Sequence, residues 1–240
     1  MRREFPESPL AEFERRLRPR MARLFAEVYQ ENRASIKVKK EAVAVRNLEK
    51  IFSAALSLAQ RSGFHAMSLR ELSKASGLSM GALYSYFGSK DELRGHIFRY
   101  GARFVQEVVA AEAERYEKPA ERLAAAIRAH LFLSEALRPW FYFSYMEARN
   151  LPPAERRAAM ENERSTEAIF SAILHQGKRR RAFRVKNVEL TAAVIKAMLQ
   201  DWYLKRWKYG QAEVRVEAYA EFVVNFVLAA IGPDSKERKK

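Results

Sequence analysis

Apolar residues in this chain return at every third or fourth position, not every second, and that spacing predicts helices almost throughout. In residues 9 to 34, Leu10, Phe13, Leu17, Met21, Leu24, Phe25 and Val28 share one helical face. Pro19 lies inside that segment, so the helix is expected either to kink or to start afresh there. SIKVKKEA, residues 35 to 42, reads as a basic connector or a first helical turn. Residues 44 to 61 place Leu48, Ile51, Phe52, Ala55, Leu56 and Leu58 on one side, with Gly63 as the stop. Further helices are expected over 91 to 116, 119 to 137, 140 to 149, 153 to 178, 187 to 208 and 212 to 231, bordered by prolines and glycines. The pattern offers no strand hairpin and no long repeat, so the fold class is all-α.

One stretch departs from these long helices: SLRELSKASGLSMGALYSYFGSKDEL, residues 68 to 93. Ser68 and Glu71 have capping-box spacing and open a helix over 69 to 75 that Gly77 ends. Ser79 caps a second helix expected over 80 to 86, and Ser89 with Glu92 repeats the box. Leu69, Leu72, Ala75, Leu78, Leu83 and Phe87 are expected to face the 44 to 61 helix. Arg70, Ser79, Met80, Gly81, Tyr84 and Tyr86 are then left facing outward. A short helix held at an angle, with its N-terminal residues exposed, is the helix-turn-helix solution for entering the DNA major groove, which is about 12 Å wide. Arg70 suits guanine O6 and N7, and Met80 suits a thymine methyl. Gly81 allows close backbone approach. Tyr84, Tyr86 and Lys90 suit phosphate oxygens. Ser68 and Ser79 complete the expected DNA-facing set. A bare three-helix packing unit is the plainer reading, but it leaves the caps, the turn glycine and the exposed tyrosines as coincidences.

Charge strengthens the picture. The 240 residues carry 44 Lys and Arg against 29 Asp and Glu, a net charge of +15. Residues 37 to 101 hold 11 basic and 5 acidic side chains. A basic surface of this kind attracts polyanions. The absence of cysteine rules out disulfides, thiolate catalysis and cysteine-bound zinc. The histidines, at 65, 96, 130 and 175, lack metal-ligand spacing. No phosphate-binding glycine loop and no nucleophile–base spacing is present, so no enzyme activity, metal or cofactor is expected. No run of about 18 apolar residues predicts a membrane span, and the N-terminus lacks a signal-peptide core. A cytoplasmic location is therefore expected.

The run Gly63-Phe64, Ser68 to Gly77, Leu78 to Phe87 and Ser89 to Leu93, with its Leu-Tyr-x-Tyr-Phe-x-Ser-Lys core, resembles the DNA-binding domain of the TetR family of bacterial transcriptional regulators. The resemblance covers residues 44 to 100. Met80 stands where the family often has lysine or another polar residue, Ala82 stands where a hydroxyl is common, and the first 40 residues exceed the usual N-terminal arm. It implies an N-terminal helix-turn-helix DNA-binding domain and a C-terminal helical domain for ligand binding and dimerisation. The expected division is an N-terminal extension over 1–42, the DNA-binding domain over 43–92, the effector and dimerisation domain over 93–232, and a disordered tail over 233–240.

The implied partners are a palindromic double-stranded operator, a second copy of the chain through the last two helices, and a small apolar effector. No membrane partner is expected. Val223, Val224, Phe226, Val227, Ala229 and Ala230 give the last helix more apolar surface than one buried face needs. WFYFSYMEARN, residues 140 to 150, and DWYLKRW, 201 to 207, are dense in aromatics. They read either as ordinary core or as a pocket lined by Phe104, Phe132, Phe143, Met146, Phe170, Met198 and Trp202, with Glu147 and Asn150 as its polar contacts. Gly177-Lys-Arg-Arg-Arg181 reads as a solvated loop or as a contact for an anionic effector such as a coenzyme A thioester. The expected function is a ligand-released homodimeric repressor. The alternative is a DNA-binding co-regulator whose C-terminal domain binds a protein.

Overall fold

The structure, a computed structural model, describes residues 8–232, so the tail expected over 233–240 lies outside the described residues. It contains α1 (Pro9–Glu31), α2 (Glu41–Ser62), α3 (Leu69–Ser76), α4 (Met80–Leu83), α5 (Lys90–Glu114), α6 (Pro119–Ala136) and α7 (Arg138–Glu147). A 3-10 turn over Ala148–Asn150 follows, then α8 (Pro153–Arg179), α9 (Val188–Leu204), α10 (Arg206–Gln211) and α11 (Val216–Ile231). Among the described residues there is no strand. The all-α expectation is borne out. The chain forms two compact units. Of the described residues, a head unit comprises 15–104 and 137–159, and a body unit comprises 8–14, 105–136 and 160–232.

α1 passes through Pro19 without interruption. Phe13, Leu17, Leu24, Phe25 and Val28 are all buried. At about 1.5–3 kcal/mol for each such side chain, their burial outweighs the roughly 3 kcal/mol cost of an interior proline. Pro19 itself is exposed, so water can satisfy the carbonyl that it leaves without a partner. In the head unit Phe25 meets Phe52 of α2 edge-on. The Tyr29 hydroxyl donates to the Val38 and Lys39 carbonyls, which fixes the connector. Asn32 donates to the Tyr100 hydroxyl at 2.6 Å, and Tyr100 donates to Glu31 at 3.0 Å. Arg103 pairs with Glu31 and Glu27. Residues 15–42 of the N-terminal extension are thus a built part of the head, tied to Phe52 of α2 and to Tyr100 and Arg103 of α5.

Leu48, Ile51, Phe64, Met67, Leu72, Leu83, Phe87 and Leu93 are further core residues of the head. Phe143 of α7 closes it against Phe64 and Phe98. The Trp140 indole donates to the Ile97 carbonyl and lies over Gly101. A Cβ on Gly101 would come 1.9 Å from the Trp140 Nε1, so only glycine fits there.

In the body unit α6 packs on both α9 and α11 and is buried over most of its surface. α9 is shorter than the expected 187 to 208 helix. It ends at Leu204, Lys205 leaves the helix at φ −117, ψ 36, and α10 starts anew. The Asp201 carboxylate makes this corner by accepting from Lys205, Lys208 and Tyr209. Burial opposes its charge, yet these bonds hold the Asp201 carboxyl well below the usual carboxylate range.

Candidate functional site: the helix-turn-helix face and the helical body

The opening of α3 is the expected capping box. The Ser68 hydroxyl accepts from the Glu71 amide, and Glu71 accepts in return from the Ser68 amide and hydroxyl. Gly77 ends the helix in the left-handed region at φ 69, where a Cβ would be strained. Ser79 then caps α4 through the Ala82 amide. Ser89 caps α5 through the Glu92 amide, but Glu92 reaches back to the Gly88 amide and not to Ser89. These bonds set the angle of α4 independently of any DNA.

Arg70, Ser79, Gly81 and Tyr84 are exposed, Met80 is half-buried, and Ser68 is exposed at its cap. A Cβ on Gly81 would meet no protein atom within 4 Å. One expected outward position needs correction. Tyr86 is buried, not outward, and its hydroxyl accepts from the Asn47 amide at 2.8 Å. The cause is helix length. α4 stops at Leu83 instead of 86, and the turn that follows rotates Tyr86 into the core. Burial pushes the Tyr86 phenol up, with Asn47 opposing. Lys90 is half-buried and already engaged within the head. Its ammonium donates to the His65 and Met67 carbonyls at 2.7 and 3.0 Å and sits over the Phe64 ring. Ala75, expected inside, is exposed and lines a shallow polar groove of about 690 Å3 with Arg46, Glu49, Lys50, Ser53, Ala54, Ser57 and Ser76. Ser76 takes the inner position and donates to the Leu72 carbonyl. The connector is tied to this face too, because the Lys37 amide donates to the Ser85 carbonyl just beyond α4.

The residues expected to line an effector pocket divide between the units. Phe104, Phe143, Met146, Glu147 and Asn150 belong to the head, and Phe132, Phe170, Met198 and Trp202 to the body. Phe104 and Phe143 are core residues, while Met146 and Asn150 are exposed. Glu147 is buried and accepts from the Phe64 amide at 3.2 Å, so it serves the head's own backbone. In the body, Phe132 meets Phe13, and Phe170 faces His130. Met198 is half-buried. Trp202 is fully buried between Tyr209 and Tyr219, with its indole donating to Glu135 at 3.0 Å. It is the centre of the α9–α10 corner.

With this geometry established, known proteins supply the family. Residues 51–97 match the family model "Bacterial regulatory proteins, tetR family", and residues 116–231 match "Tetracyclin repressor-like, C-terminal domain". The chain belongs to the TetR family. It is 23% identical over 183 residues to the HTH-type transcriptional regulator HbdR of Aromatoleum sp. (strain CIB), covering 76% of this chain and 78% of that one. A bacterial regulatory protein of the tetR family from Rhodococcus RHA1 superposes with a TM-score of 0.69 at 22% identity, over 79% of this chain and 98% of its own. AibR, solved with isovaleryl coenzyme A and operator DNA, gives a TM-score of 0.66 at 19% identity, over 75% and 97%. This TetR-family chain is therefore a transcriptional regulator and not an enzyme. Among the described residues no helix is long and apolar enough to cross a membrane.

Sequence reasoning missed two kinds of residue in this regulator. Asn47 of α2 donates to the Tyr86 hydroxyl, and beside Leu48 the sequence pattern assigns it only to the solvent side of that helix. Lys196 of α9 is 4% exposed. Its signal was its register, since Ala192, Lys196, Leu199 and Tyr203 follow one another on a single buried face.

Proposed function

We propose that this regulator is a homodimeric repressor that reads a palindromic operator through α4 and is released by a small, mainly apolar effector of the fatty-acyl or acyl-coenzyme A class. The observation that carries the DNA-reading assignment is the doubly capped α3–α4 turn, which presents Arg70, Met80, Gly81 and Tyr84 outside the core. Residues 43–92 are the DNA-reading domain and 93–232 the regulatory one. A cytoplasmic location goes with that role.

Dimerisation is supported by apolar side chains that the fold leaves in water. On α9 these are Leu190 and Val194, and on α11 they are Phe222 and Phe226, at 61%, 50%, 66% and 55% exposure. A two-fold pair of such faces would bury both stripes, and two-fold symmetry accounts for a palindromic site. The AibR complex, with isovaleryl coenzyme A, supports the acyl class of effector. Release requires that the effector bind the non-DNA-binding state more tightly, and it acts only by that difference. α5 is the proposed lever, since it starts in the head unit and ends in the body unit.

The test is operator selection from random DNA by the full-length protein, followed by titration. Arg70→Ala should cost roughly 1–3 kcal/mol and relax one base pair per half-site. Unchanged operator affinity in that variant would remove Arg70 from the reading face.

A further inference from the structure

The body unit buries four polar side chains inside its helices. His130 and Ser134 of α6, Thr166 of α8 and Lys196 of α9 are all under 7% exposed. Lys196 donates to Glu163 Oε1 at 2.7 Å, and Gln200, one turn along α9, donates to the same oxygen at 2.6 Å. Thr166 lies three residues after Glu163 on α8, and Phe170 one turn further on faces His130 at 6.4 Å between ring centroids. Three helices therefore converge on one ammonium.

Two features set the Lys196–Glu163 pair apart from a structural ion pair. The first is asymmetry. The Lys196 side chain is 5% exposed while that of Glu163 is 47% exposed. Glu163 can turn into water at small cost, whereas the buried ammonium cannot, and an uncompensated buried charge is strongly destabilising. The second is surplus donors. An ammonium carries three hydrogens, and Lys196 makes one hydrogen bond. The imidazole of His130 is held neutral by burial and by the Lys196 charge, so among the described residues Lys196 alone carries the positive charge at this place. A core that needed only packing would carry an apolar side chain at this position, which often costs less than a buried pair.

We propose that Lys196, flanked by His130, binds the carboxylate of an organic acid with an apolar body, and that Glu163 is the occupant this carboxylate displaces. The Glu163 Oε1 marks where a ligand oxygen sits. The charge count selects the class. Among the described residues of the body unit Lys196 is the buried cation, which balances one carboxylate. A phosphorylated carrier, with several negative charges, would need more. The inference rests on the effector reading above and narrows it to acids.

The experiment uses the full-length protein and a panel of carboxylic acids, straight-chain from two to eighteen carbons with branched and aromatic examples. Each is paired with its primary amide and its coenzyme A thioester. Binding is read by calorimetric titration and DNA release by anisotropy. At least one acid should bind more than tenfold tighter than its amide. Lys196→Met should erase that preference, and Glu163→Gln, which weakens the internal competitor while keeping the shape, should raise acid affinity several-fold. No acid preference anywhere in the panel, a preference that survives Lys196→Met, or an unchanged affinity in Glu163→Gln would each overturn the site. An acid that binds through Lys196 without altering DNA affinity would leave the site standing and sink the repressor reading. Amides or thioesters that release DNA with no acid preference would do the reverse.

Discussion

Tyr84 and Tyr86 are separated by one residue and have opposite surroundings, and their variants should separate just as sharply. Tyr86→Phe removes the acceptor for the half-buried Asn47 amide. It should lower stability by about 0.5–1.5 kcal/mol in urea denaturation, with base preference in the operator unchanged. Tyr84→Phe, at a side chain 47% exposed, should leave the urea midpoint in place and weaken binding to all DNA sequences evenly. Gly81 offers a cleaner separation. A Cβ there meets open space, so Gly81→Ala should keep or raise stability by up to about 1 kcal/mol, as glycine replacement in a helix does. Its operator affinity should fall, because the added methyl stands between α4 and the groove. Equal affinity for wild type and Gly81→Ala would show that the backbone does not approach the bases at that position.

At the scale of the element, α6 makes a pH prediction. His130 is fully buried, and burial together with the Lys196 charge pushes its imidazole well below its usual 6.5. His96 is pushed the same way by burial and by Arg99. Below about pH 6.5 the unfolded chain takes up protons that the folded chain refuses. Stability is therefore complete above that pH and falls as pH drops, by up to about 1.4 kcal/mol per pH unit for each histidine. Thermal melts between pH 7.5 and 5.5 should show the loss, and His130→Gln should flatten the slope. Most of the long helices were legible in the sequence because they bury one periodic face, α1 included. The capping serines and Gly77 were legible because caps are local chemistry. The α9–α10 corner was not, since it depends on how Asp201 gathers Lys205, Lys208 and Tyr209 once they are folded together. Tyr86 escaped because three residues of helix length decide which way a side chain points. Lys196 escaped because a lysine in an amphipathic helix is normally solvated. The effector-lining residues were read by composition, and aromatics pack cores as readily as pockets.

At the scale of the whole molecule, the apolar stripes on α9 and α11 carry the test of assembly. Phe226→Glu should leave helix content intact and yield a monomer by light scattering, because Phe226 is 55% exposed in the single chain. A dimer that persists at the same concentration would move the interface elsewhere. If the stripes do pair, the protein's cellular copy number acquires a role. α4 is a reading helix of only four residues, too small for one head to hold an operator tightly alone. Below the dimer dissociation constant, operator occupancy then rises with the square of protein concentration. Dilution at cell division would loosen repression by more than half, and a modest change in synthesis would be amplified into a steeper change in output with no effector present.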